Sequence, residues 1–74
     1  MKFQMLFKAY SPSDSFSSAF TENVSLINAP SGTPVPPFRC AQGALKSGWF
    51  LLSAPLRAPG GYIQWYFTKE YEAA

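Results

Sequence analysis

The sequence contains no histidine and a single cysteine. Histidine is the commonest general base and metal ligand near neutral pH, so its absence removes every Ser-His and Cys-His nucleophile arrangement. Cys40 alone forms no internal disulfide and, without histidine, builds no zinc site. Only four carboxylates are present: Asp14, Glu22, Glu70 and Glu72. Nothing in their spacing sets two of them across a cleft, as a paired-carboxylate mechanism requires. Gly60-Gly61 lacks the following lysine and helix of a phosphate loop. An enzyme is therefore not expected, and neither is a metal or a cofactor. Charge is also scarce, at 14% of residues against a usual ~25%. The longest apolar run, Trp49–Leu52, is far short of a membrane span. The apolar start at Met1–Phe7 is too short for a signal peptide, and no small-residue cleavage site follows it.

What the sequence has in abundance is aromatic side chains, 18% of the total, with seven Phe, four Tyr and two Trp. That excludes wholesale disorder, which needs few aromatics and much charge. Seventy-four residues make one small domain whose core is marginal unless densely packed or completed by a partner. With so little charge, part of the surface must be neutral polar or covered by another molecule. A small core without disulfides points to a reducing, cytoplasmic compartment (that of a host cell if the source is viral). The net charge is +2. Residues 1–69 carry six positive and two negative charges, hence +4, but no two basic residues are adjacent. The clustered Lys and Arg of a duplex binder are missing.

Along the chain, Lys2–Tyr10 alternates, with Phe3, Met5, Phe7 and Ala9 on one side and Gln4, Lys8 and Tyr10 on the other. This is a half-buried strand, and Leu6 and Tyr10 on its polar side suggest partial cover there too. Ser11-Pro12-Ser13-Asp14 has the composition of a capping box, and Phe16, Ala19, Phe20 and Val24 recur at helical spacing. A short helix is expected over 12–22, with a strand as the competing reading because Phe16, Phe20, Val24 and Leu26 also share parity, then a short strand over 24–28. Asn23-Val24-Ser25 matches a glycosylation sequon, without meaning in a reducing compartment. Residues 29–37 hold four prolines and one glycine, which form neither ladder nor helix interior, so an extended crossover is expected. Phe38–Leu45 is expected as a strand with a bulge at Gly43, and Gly48 suits the left-handed position of a hairpin. Trp49–Ala54 is the most apolar strand and is expected at the centre, with Pro55 ending its ladder. After the turn signal Ala58–Gly61, Tyr62–Lys69 alternates again, with Ile63, Trp65 and Phe67 against Tyr62, Gln64, Tyr66 and Thr68. The expected fold is α+β: a single domain over 1–69, an antiparallel sheet of four to five strands in the order β-α-β-loop-β-β-β, closed by a three-stranded meander. A small OB-like or SH3-like barrel is the alternative, and residues 70–74 are expected to fray.

Two sequence features bear on binding. Tyr62 and Tyr66 share one face of the last strand, with Arg57 and Lys69 near its ends. Aromatics with flanking cations make protein-interface anchors or stacking platforms for single strands. Pro34-Val35-Pro36-Pro37-Phe38-Arg39 matches a polyproline motif in which Pro34, Pro37 and Arg39 would dock on an aromatic groove, although a stiff crossover explains the same residues. Trp49, Trp65, Phe3, Phe7, Phe50 and Phe67 are assigned to the core, and Cys40 to a small core position.

In size and composition alone, with no shared motif, the chain is similar to small accessory proteins of phages, such as anti-CRISPR proteins and inhibitors of host RNA polymerase. That likeness implies a non-catalytic module that binds and inhibits or modulates a larger host assembly. The competing expectations are a single-strand nucleic-acid-binding barrel and a structural subunit of a virion or complex. No membrane partner is expected; a homo-oligomer is compatible with the composition.

Overall fold

A computed structural model describes residues 1–21 and 24–72. Its elements are β1 (Lys2–Ser11), β2 (Ser25–Ile27), α1 (Ala41–Lys46), β3 (Phe50–Leu51), β4 (Leu56–Arg57) and β5 (Ile63–Glu72). They form a five-stranded antiparallel sheet with one short helix. The sheet order is β2-β1-β5-β3, with β4 also on β5. Nothing among the described residues pairs β2 with β3 or β4, so the sheet is open and no barrel closes.

The two alternating segments make the two long strands, and they pair with each other. β1 and β5 run antiparallel in unbroken register from Lys2↔Glu72 to Ser11↔Ile63. Residues expected to fray are thereby held: Glu70 and Glu72 pair with Gln4 and Lys2, the Phe3 and Tyr71 rings stack at 5.6 Å, and the Tyr71 hydroxyl donates to the Asn28 carbonyl at 3.2 Å. Residues 73–74 lie outside the described residues.

Phe7, Ala9, Ile63, Trp65 and Phe67 fill one face, closed by Ala41 and Ala44 of α1 and by Trp49. Phe7 is the hub, its ring 5.8–6.0 Å from those of Phe20, Phe38, Trp49 and Phe67. Each such tilted or edge-on pair adds about 0.5–1.5 kcal/mol beyond burial. In a chain this small the geometry among rings is therefore a substantial part of stability.

The helix lies elsewhere than expected. Over residues 12–18 the chain makes bends and a turn, because the serine hydroxyls bond the local backbone. Ser11 Oγ donates to the Ser13 carbonyl, and the amides of Ser15 and Ser17 donate to Ser13 Oγ and Ser15 Oγ. Such bonds offer the chain an alternative to helix. Glu22, the end of the expected helix, and Asn23 of the sequon lie outside the described residues.

The helix forms instead at Ala41–Lys46, inside the stretch expected as a strand. Ala, Gln, Leu and Lys are strong helix formers, and Ala41 and Ala44, three apart, are its buried residues. Gly48, at φ +92, ends it: the amides of Gly48 and Trp49 donate to the carbonyls of Leu45 and Ala44. That pair of bonds is a Schellman motif. The left-handed glycine was legible; its partner is a helix end and not a hairpin.

Trp49–Ala54 is likewise not the central strand. Only Phe50–Leu51 is strand, on the outer edge of β5, and no meander forms because β3 and β4 both pair β5. Phe50 pairs Thr68 and Leu56 pairs Gln64, so the register sum rises from 118 to 120 across the intervening residues. Pro55, which has no amide to donate, sits in that jump.

Candidate functional site: the open face of the sheet

The strict alternation of β1 and β5 has a second consequence. Odd-numbered residues of both strands face the core, and the even-numbered ones share the other face, over which no helix or strand packs among the described residues. Leu6, Lys8 and Tyr10 of β1 lie beside Thr68, Tyr66 and Gln64 of β5. Ile27 extends this face past Leu6, and Phe50 and Leu56 extend it past Thr68 and Gln64. Ile27, Phe50 and Leu56 are 44%, 69% and 51% exposed. Phe50, assigned to the core from sequence, is the most exposed of the three, because its edge position points it away from Phe67.

The centre of the face is a polar knot. Gln64 Nε2 donates to the hydroxyls of Tyr66 and Tyr10 at 2.9 and 3.2 Å. Lys8 Nζ lies 5.5 Å from the Tyr10 ring centroid and 5.9 Å from that of Tyr66, both within cation–π range. The half-buried stem of Lys8 lies along the sheet and its ammonium stays in solvent. Its pKa is raised above the ordinary 10.5, first by hydrogen bonding to Tyr10 and then by the charges Tyr10 and Tyr66 can carry. The knot fixes two tyrosine rings at defined tilt while leaving them half exposed. Tyrosine rings held in this way lose little side-chain entropy on binding. Beside the knot, Tyr10, Thr21, Ala58, Pro59 and Tyr62 line an open cleft of about 520 Å³.

Among the site residues expected from sequence, Tyr66 stands in the knot and Tyr62, 45% exposed, borders the adjoining cleft. Lys69 lies on the other face: its Nζ reaches the Ser47 carbonyl at 3.5 Å and sits 6.0 Å from the Trp49 ring centroid. Arg57 pairs with Ile63 on the edge, in register with the core face. Pro34, Pro37 and Arg39 are exposed on a connection that is neither helix nor strand. The Arg39 carbonyl accepts from the Phe20 amide. Cys40 is the residue before α1, partly buried. Sequence reasoning left Lys8, Tyr10 and Gln64 out of the site. Parity alone places both even sets on one face, but only once β1 and β5 are known to pair. No described helix is long and apolar enough to cross a membrane. No family model, curated protein or solved structure matches the chain.

Proposed function

We propose that the protein is a non-catalytic binding module that docks on another protein through the open face of its sheet. The observation that carries this reading is the row Ile27–Leu6–Thr68–Phe50 running across four strands beside the Tyr10–Gln64–Tyr66–Lys8 knot. An apolar row next to oriented tyrosines is the composition of an interface core with hot-spot anchors. The size and composition of the chain extend the reading to a small accessory protein that inhibits or modulates a larger assembly, working in a reducing cytoplasm.

The half-exposed tyrosine rings and Lys8 also favour a single-stranded nucleic acid, where bases stack on aromatics. Charge weighs against it. On this face Lys2 and Lys8 are matched by Glu70 and Glu72, two against two, so no positive groove tracks a phosphate backbone.

The test is capture from native lysate with wild type and Tyr66→Ala, each checked by near-UV circular dichroism. A partner retained by the wild type and lost by a folded Tyr66→Ala supports the reading. Equal retention, or sub-micromolar salt-sensitive binding to a mixed-sequence single-stranded oligonucleotide, overturns it.

A further inference from the structure

We propose that the open face also binds a second copy of this chain, the two sheets packing face to face about a two-fold axis that runs between them roughly along the strands. The inference rests on the reading of that face as a protein-binding surface and names one occupant for it. The register supplies the argument. On the open face β1 and β5 present five cross-strand couples: Lys2 with Glu72, Gln4 with Glu70, Leu6 with Thr68, Lys8 with Tyr66, and Tyr10 with Gln64. An axis between the two strands lays β1 of one copy over β5 of the other, so each couple faces itself reversed.

Lys2 then meets Glu72 of the second copy twice, side by side at one end of the interface. Lys8 meets Tyr66, and Tyr10 meets Gln64. Both contacts already exist within one chain, where Lys8 Nζ stands 5.9 Å from the Tyr66 ring centroid and Gln64 donates to the Tyr10 hydroxyl. Ile27 and Phe50 flank the Leu6–Thr68 couple on opposite sides, so the operation sets each over the other and covers two exposed apolar side chains per copy. The two lysines and two glutamates of the face cancel, with the Met1 ammonium 3.9 Å from one carboxylate oxygen of Glu72, so the copies meet over a face of mixed sign. Aligned sheets pack about 10 Å apart at about −30°, which keeps the central couples opposed and leaves the long Lys2 and Glu72 to reach across at their end of the sheet.

Area sets the strength. Two strands of about 33 Å, with the shorter ones beside them at about 4.8 Å spacing, outline roughly 500 Å² per copy. The pair removes on the order of 1,000 Å², the lower limit for a specific interface. Self-association is therefore weak, with a Kd of about 10–100 µM, and a foreign partner on the same face has to displace the second copy.

The experiment is sedimentation equilibrium of the whole chain from about 1 µM to about 1 mM, a range bracketing that affinity. A reversible monomer–dimer equilibrium is expected, weakened at least about tenfold by Leu6→Glu, a half-buried position on the open face. Lys2→Glu and Glu72→Lys should each weaken it about threefold, while an equimolar mixture of the two variants restores it, because opposite charges then face each other in both of the paired contacts. The mixture decides the matter if Leu6→Glu loses its near-UV signal. A monomer throughout the range, or a dimer indifferent to Leu6→Glu and to the charge exchanges, overturns the inference. A monomer that still captures another protein through Tyr66 overturns this inference alone and leaves the proposed function standing.

Discussion

Trp65 and Ser11 are bound to each other in the interior: the indole Nε1 donates to the Ser11 hydroxyl at 2.7 Å, and both residues are fully buried. The same hydroxyl donates to the Ser13 carbonyl at 2.6 Å, so one side chain ends β1, starts the bend after it and satisfies the largest buried ring. Trp65→Ala should cost about 3–5 kcal/mol and unfold so small a domain. Ser11→Ala should cost about 1–3 kcal/mol, the cost of leaving the indole N–H unpaired. Urea titration ranks the two, and a Trp65→Ala that melts like the wild type would invert the assignment of the sheet faces.

Tyr66→Ala should leave melting nearly unchanged and weaken partner binding by at least about 2 kcal/mol, roughly thirtyfold. Tyr62→Ala should do less, since Tyr62 precedes β5 beside two left-handed glycines. Arg39→Ala is the control, because among the described residues only its backbone carbonyl is engaged. Binding measured by calorimetry on the captured partner separates the three. A loss at Arg39 with none at Tyr66 would move the site to the 34–39 connection.

Gly48→Ala should cost about 1–2 kcal/mol for conformational reasons alone. An added Cβ would meet nothing nearer than Lys69 Nζ at 3.9 Å, but φ is +92. D-Alanine introduced at this position by synthesis should keep full stability, which a steric clash would not permit.

Lys8 should titrate above the ordinary lysine value, and Tyr10→Phe should bring it back down, since hydrogen bonding to Tyr10 is the first cause of its shift. The folded pKa is raised. The associated stabilisation is therefore complete below pH 10.5 and disappears as pH climbs through the folded value. Lysine side-chain NMR across the alkaline range measures both. A shift that survives Tyr10→Phe would assign it to Tyr66 instead.

The two alternating strands and their faces were legible, because burial on one face imposes period two on Phe7, Ala9, Ile63, Trp65 and Phe67 wherever they pair, but the end of β5 was not: it runs to Glu72, three residues past the expected Lys69. The helix was misplaced because two local signals competed. Ser11 had the chemistry of an N-cap, but its hydroxyl is taken by Trp65, from 54 positions away. Ala41 and Ala44 are too small to give a visible apolar stripe, and only packing under Trp49 and Phe38 makes their face a face. Within the site Tyr66 could be found from its own strand. Lys8 and Tyr10 could not, because nothing local tells β1 that β5 lies beside it.

That neighbour relation also governs how the chain comes together. The residues joined across β1 and β5 are separated by 52 positions at Ser11↔Ile63 and by 70 at Lys2↔Glu72, so the central pair of the sheet is also its most distant in sequence. Among the described residues, the ladder available before β5 exists is the three-residue contact of β1 with β2, too small to stand alone. During synthesis β1 therefore waits, apolar side uncovered, until the last strand arrives. Assembly is then slow for so short a chain, as high contact order dictates, and a nascent chain arrested before Ile63 has no native sheet to retreat to and is exposed to aggregation and proteolysis.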